Sequence, residues 1–156
     1  MYRQFPIYRD FYAAKTPVIL CEGKTDTVFL KFAIRSLVAD FPELAEIGPD
    51  GKVRLKVRLY KYTKSSTVRT LGLQDGGTGH IPKFIGNYKE ETDKFNAPGL
   101  DNPFILLFDN DTGGDGICAA VKMAGMKAMN RSDPFTHVIK NLYAYTSDRQ
   151  SKHGQN

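Results

Sequence analysis

The chain has 156 residues, 41% hydrophobic and 25% charged, with a formal net charge of +5. That length is about one domain, able to bury roughly two-thirds of its unfolded surface, so a core needs neither disulfides nor a structural metal. The composition excludes low-complexity and collagen-like chains, and the moderate basic excess favours a polyanionic partner without requiring one.

Cys21 and Cys118 lie in apolar stretches with no His or Cys at metal-binding spacing, and read as small core residues of a reduced compartment. No signal-peptide pattern and no apolar run of about 18 residues is visible, so the expectation is a cytoplasmic protein with no membrane partner.

Residues 1–16, MYRQFPIYRDFYAAKT, are basic and aromatic without a clean period. They read as a leading helix or as a linker from a preceding domain. Pro17 opens an apolar run, Val18-Ile-Leu-Cys21, that ends in Glu22-Gly23-Lys24-Thr25-Asp26. This pattern predicts a strand that delivers an acid at its carboxyl end and then turns into a helix capped by Thr25 or Asp26. The helix is expected from about Thr25 to Val38, with Phe29, Phe32, Ala33 and Leu37 on one stripe facing the sheet.

Pro42 and Gly48-Pro49-Asp50-Gly51 break the chain. Val53, Leu55, Val57 and Leu59 then alternate with Arg54, Lys56, Arg58 and Tyr60, which predicts one strand with a buried and a wet face. The basic face reads either as a nucleic-acid contact or as a solubilising guard on a sheet edge. Residues 63–80 are rich in Ser, Thr and Gly and read as a loop feeding a short helix around Lys83 to Lys94. Gly76-Gly77-Thr78-Gly79 lacks the following Lys-Ser/Thr pair of a nucleotide P-loop.

Pro103 leads into Phe104-Ile-Leu-Leu-Phe108, an apolar run of strand length with no polar face, expected to be buried on both sides. It runs into Asp109-Asn-Asp111 and then Gly113, Gly114 and Gly116. Asp115 to Met129 reads as a helix whose Ala119, Ala120, Ala124 and Gly125 permit close packing, and Thr136 to Tyr145 as one more strand. The polar tail, 146–156, is expected to be disordered or truncated. Two strand–helix units joined by a strand-like segment predict an α/β sheet, parallel at its centre and flanked by helices.

If the two acid-tipped strands are parallel neighbours, Glu22, Asp109 and Asp111 converge on one edge, where open α/β sheets place their ligands. Three acids repel one another, and a divalent cation relieves that; paired hard oxygens suit Mg²⁺ (or Mn²⁺). Lys24, with Thr25, and the amides at Gly113 and Gly114 would then face substrate phosphates. Such a metal polarises a phosphodiester, and Glu22 is also a candidate general acid or base.

The pair Val18-Ile-Leu-Cys-Glu-Gly-Lys-Thr-Asp26 and Phe104-Ile-Leu-Leu-Phe-Asp-Asn-Asp-Thr-Gly113 resembles the Toprim domain over about residues 17–145. That domain is shared by type IA and type II topoisomerases, bacterial primases, OLD-family nucleases and recombination-repair proteins. The resemblance implies a Rossmann-like sheet, a Glu used as acid–base or metal ligand (Glu22), and an Asp-x-Asp that holds Mg²⁺ (Asp109, Asp111), with Asp26 as a fourth acid. A narrower resemblance joins Phe11-Tyr12, the same Glu22 motif, Ala33-Ile-Arg-Ser-Leu37 and Asp109-Asn-Asp111 to the Toprim region behind some retron reverse transcriptases. It implies a nuclease-type effector in anti-phage defence, acting on DNA or RNA. Its partners would be a reverse-transcriptase domain in the parent protein and that enzyme's RNA–DNA product. No Tyr-x-Asp-Asp polymerase motif is present.

Two other readings belong beside it: a non-catalytic module that binds nucleic acid or a partner, and a dehalogenase-type phosphatase with Asp109 as nucleophile. The latter places its Asp-x-Asp near the domain start, whereas here it follows about 100 residues. A calcium loop of the EF-hand type fails, because position twelve counted from Asp109 is Ala120 rather than a bidentate Glu.

Overall fold

The structure is a computed structural model that describes residues 3–61, 66–73, 79–109, 114–129 and 135–147. Its centre is a five-stranded sheet in the order β4-β1-β5-β7-β6, from Arg58–Leu59 (β4), Val18–Cys21 (β1), Phe104–Asp109 (β5), Leu142–Ser147 (β7) and Phe135–Ile139 (β6). β4, β1, β5 and β7 are parallel, and β6 runs antiparallel beside β7. A separate hairpin pairs β2 (Ala45–Ile47) with β3 (Val53–Leu55). The helices are α1 (Gln4–Ile7), α2 (Lys24–Ser36), α3 (Ser66–Leu71), α4 (Ile81–Thr92) and α5 (Gly114–Gly125), and a π-turn spans Tyr8–Tyr12. This is an α/β architecture with a mostly parallel sheet flanked by helices, compatible with a Rossmann-like fold.

The sheet separates two apolar clusters. On one face Leu20, Phe104, Leu106 and Phe108 meet Ile7 and Phe11 of the leading segment, Phe84 and Tyr88 of α4, and Ile117 and Val121 of α5. Phe11, Phe84, Tyr88 and Phe104 form an aromatic knot, with Phe11 and Phe104 centroids 4.6 Å apart and Tyr88 and Phe104 centroids 5.4 Å apart. Each such side chain, fully enclosed, contributes about 1.5–3 kcal/mol of burial. The leading segment is therefore helical and built into the core. Asn141 locks this face: its amide donates to the Phe11 carbonyl at 3.0 Å and the Asn102 carbonyl at 2.7 Å, and its side-chain oxygen accepts from the Tyr88 hydroxyl.

The smaller cluster, on the other face, packs Ile34 of α2 and Ala45 of the hairpin over Ile19, Cys21 and Leu59. Here the sequence expectation for α2 is overturned. Thr27 and Ile34 are buried and Leu30 and Val38 pack beside them, while Phe29 and Phe32 are 69% and 61% exposed and Leu37 and Ala33 also face outward. Two apolar stripes share helical spacing on this segment. The sheet takes the aliphatic one, which suits the medium-sized side chains below it.

Other boundaries shift for local reasons. The Val53–Tyr60 alternation is split at Lys56–Val57, so that β3 joins the hairpin and β4 joins the main sheet; Val57 and Leu59 are buried as expected, but so is Tyr60. The single C-terminal strand is a hairpin, β6–β7, turned at Lys140 with φ +55° and Asn141. Within residues 63–80, expected as loop, Ser66–Leu71 is helical, and residues 74–78, with most of the Gly-rich run, lie outside the described residues. β5 alternates: Phe104, Leu106 and Phe108 are buried, but Ile105 and Leu107 are only half-buried, so the helices cover one face of this strand more fully than the other.

Candidate functional site

β1 and β5 are direct parallel neighbours in a register that sets Cys21 opposite Leu107. The ladder continues one step beyond β1, with the Glu22 amide donating to the Leu107 carbonyl at 2.8 Å. Glu22 and Asp109 therefore emerge at the same carboxyl edge. Their side-chain and backbone groups also meet, since the Asp109 amide donates to Glu22 Oε2 at 3.3 Å. Glu22 is half-buried and Asp109 exposed.

In chain order α2 follows β1 and α5 follows β5, so two helix amino ends lie at this edge. Helix amino ends carry partial positive charge, which favours carboxylates and phosphates there. Two glycines lie close to their neighbours here, Gly23 to a side-chain tip and Gly114 to backbone. A Cβ on Gly23 would sit 2.6 Å from Asp26 Oδ2, and one on Gly114 would sit 2.6 Å from the Asp109 carbonyl oxygen. Gly114, read from the sequence as part of an anion cradle, is buried in the first turn of α5 against β5.

The other sequence-derived candidates divide. Lys24 and Thr25 are exposed in the first turn of α2, beside Glu22. Asp26 serves α2 itself: its Oδ2 accepts the Gly23 amide at 2.9 Å, with Gly23 rather than Thr25 or Asp26 as the cap residue. Asp111 and Gly113 lie outside the described residues. Arg54, Lys56 and Arg58 are not gathered at this edge. Arg54 pairs with Asp50 at 3.4 Å and Lys56 with Glu46 at 3.3 Å, both on the small hairpin and its approach. Arg58 pairs with Val18 across the ladder, at the opposite end of β1 from Glu22.

Glu22 and Asp109 suit a hard divalent cation, because Mg²⁺ is held by one or two carboxylates and completes its shell with water and substrate oxygens. Among the described residues no group of three or more His, Cys, Asp or Glu side chains is gathered to hold a metal ion. Cys21, next to Glu22, is an enclosed thiol whose pKa burial pushes up to about 11, so it is a core group and no nucleophile.

Sequence reasoning missed a second charged group at the opposite edge. Asp10 in the π-turn is 6% exposed, yet it binds both Arg9 and Arg58. The only signal for it was the Arg9-Asp10 pair inside an aromatic stretch.

Fold and edge together define an α/β protein with two carboxylates at the carboxyl end of adjacent parallel strands. No family model matches the chain, and no solved structure matches it. Among the described residues no helix is long and apolar enough to cross a membrane.

Proposed function

We propose that this chain is a Toprim-type, Mg²⁺-dependent module acting on nucleic-acid phosphodiesters, a nuclease-type effector similar to the region carried behind retron reverse transcriptases. The observation that carries the reading is the contact between Glu22 and the Asp109 amide, which sets the two acid-tipped strand ends side by side. Glu22 and Asp109 would hold the metal, with Asp111 two residues further along the chain. When bound, the metal polarises the phosphodiester and offsets charge developing on its oxygens. Lys24 and the amino ends of α2 and α5 favour the approaching phosphate. The parent protein would bring a reverse-transcriptase domain and its RNA–DNA product as partners, in the cytoplasm.

A plasmid-nicking assay with Mg²⁺ tests this directly. Wild type is expected to nick, chelator to stop it, and Glu22→Ala and Asp109→Ala each to reduce it by at least about a hundredfold, the scale of losing an electrostatic catalytic group. Nicking that survives both substitutions contradicts the assignment. Retention of DNA without cleavage, indifferent to chelator, makes the chain a binding module instead.

A further inference from the structure

At the amino edge of the sheet, away from Glu22, a cavity of about 430 Å³ is lined by Phe5, Tyr8, Arg9, Lys15, Thr16 and Arg58, with Asp10 in its wall. Among the described residues three cations and one carboxylate line it, a surplus of two positive charges. Asp10 holds both guanidiniums in place. Its Oδ1 accepts Arg9 Nε at 2.9 Å and Arg58 Nη1 at 3.2 Å, and its Oδ2 accepts Arg9 Nη2 at 2.7 Å. Arg58 Nη2 donates to the Asp10 backbone carbonyl.

One carboxylate neutralises one guanidinium, so a purely structural bridge needs only one of the two arginines. Arg9 spends two of its five N–H donors on Asp10 and keeps a side chain that is 52% exposed. Arg58 Nε is enclosed, with no hydrogen-bond partner among the described residues, and Nη1 and Nη2, each bonded once to Asp10, each keep a second N–H. Guanidiniums fixed in this way are suited to phosphate oxygens, because their fork needs no further ordering when the anion arrives. Phe5, 64% exposed and carrying the Arg9 guanidinium 5.4 Å from its ring centroid, adds an aromatic surface at the rim. The cavity volume lies within the range of small-ligand sites.

We infer that this cavity binds the phosphate of a nucleotide, held by Arg9, Arg58 and Lys15 with the base against Phe5. The phosphate could be supplied by a free nucleotide or by a nucleic-acid strand, and the chemistry is shared. The inference does not rest on the carboxylate edge.

The test is calorimetric titration of the full chain with inorganic phosphate, AMP and a short single-stranded oligonucleotide, for wild type, Lys15→Gln, Arg9→Gln and Glu22→Ala. Lys15→Gln leaves every Asp10 contact in place and so keeps the fold. Each of the two cavity variants is expected to weaken nucleotide binding by about tenfold or more, the loss of one charge-assisted hydrogen bond. Glu22→Ala is expected to leave AMP binding in the absence of divalent metal unchanged. AMP binding that responds to the cavity variants identifies a free nucleotide; a response confined to the oligonucleotide identifies a strand. Inorganic phosphate binding as tightly as either overturns the nucleotide assignment. Binding that Lys15→Gln and Arg9→Gln leave intact, or no binding of any probe, overturns the site.

Discussion

Gly114→Ala separates a close-packed edge from an ordinary helix start. In a helix, replacing Gly by Ala normally stabilises by about 0.5–1 kcal/mol, because the unfolded chain loses freedom. At Gly114 the added Cβ would stand 2.6 Å from the Asp109 carbonyl oxygen and 3.3 Å from the Phe108 ring. The first contact is to backbone, so α5 or the end of β5 must move, and overpacking of that kind costs about 1–3 kcal/mol. For a chain of this size the melting temperature should fall by roughly 3–10 °C. Gly86, in the interior of α4 with nothing within 4 Å of its Cβ position, is the control. Gly86→Ala should raise the melting temperature by roughly 2–4 °C. Thermal melts of the two variants, followed by circular dichroism, read the opposite signs directly. A Gly114→Ala protein as stable as Gly86→Ala would refute the tight junction between Asp109 and α5.

Three further outcomes follow from the same packing. Burial pushes the Asp10 carboxyl up, but the Arg9 hydrogen bonds and the Arg58 and Arg9 charges outweigh it and hold it below its usual 3.8. A folded value below the unfolded one means that the stability it contributes is present above the unfolded pKa and is lost as pH falls through the folded one. Asp10→Asn should therefore cost about 2 kcal/mol at pH 7, short of the ~3–5 kcal/mol of a fully buried pair because its partners are half exposed. The deficit should shrink in urea melts toward pH 3. On α2, Ile34→Ala should cost about 2–4 kcal/mol and Phe32→Ser less than about 0.5 kcal/mol; the reverse order in denaturant melts would put the aromatic stripe back against the sheet. Asp26→Ala should lose about 0.5–2 kcal/mol through the freed Gly23 amide, and Asp26→Asn, which keeps an acceptor, should recover most of it.

The two strands that position the candidate site were legible because each is a short apolar run closed by an acid and a glycine, a pattern ambiguous alone and informative as a pair. β1 is buried at every residue, and the acids of β1 and β5 do share an edge. The inward face of α2 was not legible. Val28, Phe29, Leu30, Phe32, Ile34, Leu37 and Val38 leave almost no polar side, and periodicity cannot rank two stripes of the same spacing. The alternation from Val53 correctly divided inner from outer residues up to Leu59, yet alternation survives a bend, so it could not reveal that the run serves two sheets. The Lys140–Asn141 turn carries neither Gly nor Pro, which hid the hairpin. Asp10 and Arg58 are 48 residues apart, and nothing local announces that the fold joins them.

The proposed nuclease chemistry depends on Glu22 and Asp109 together holding a divalent metal at the carboxyl edge. Electron paramagnetic resonance titration of Mn²⁺ against the full chain measures this without reference to any substrate. The expected result is a bound Mn²⁺ that Mg²⁺ displaces, with affinity reduced by at least about tenfold in both Glu22→Gln and Asp109→Asn, since each removes a charged ligand. Mn²⁺ affinity unchanged in either variant, or no bound Mn²⁺ in the wild type, would contradict it.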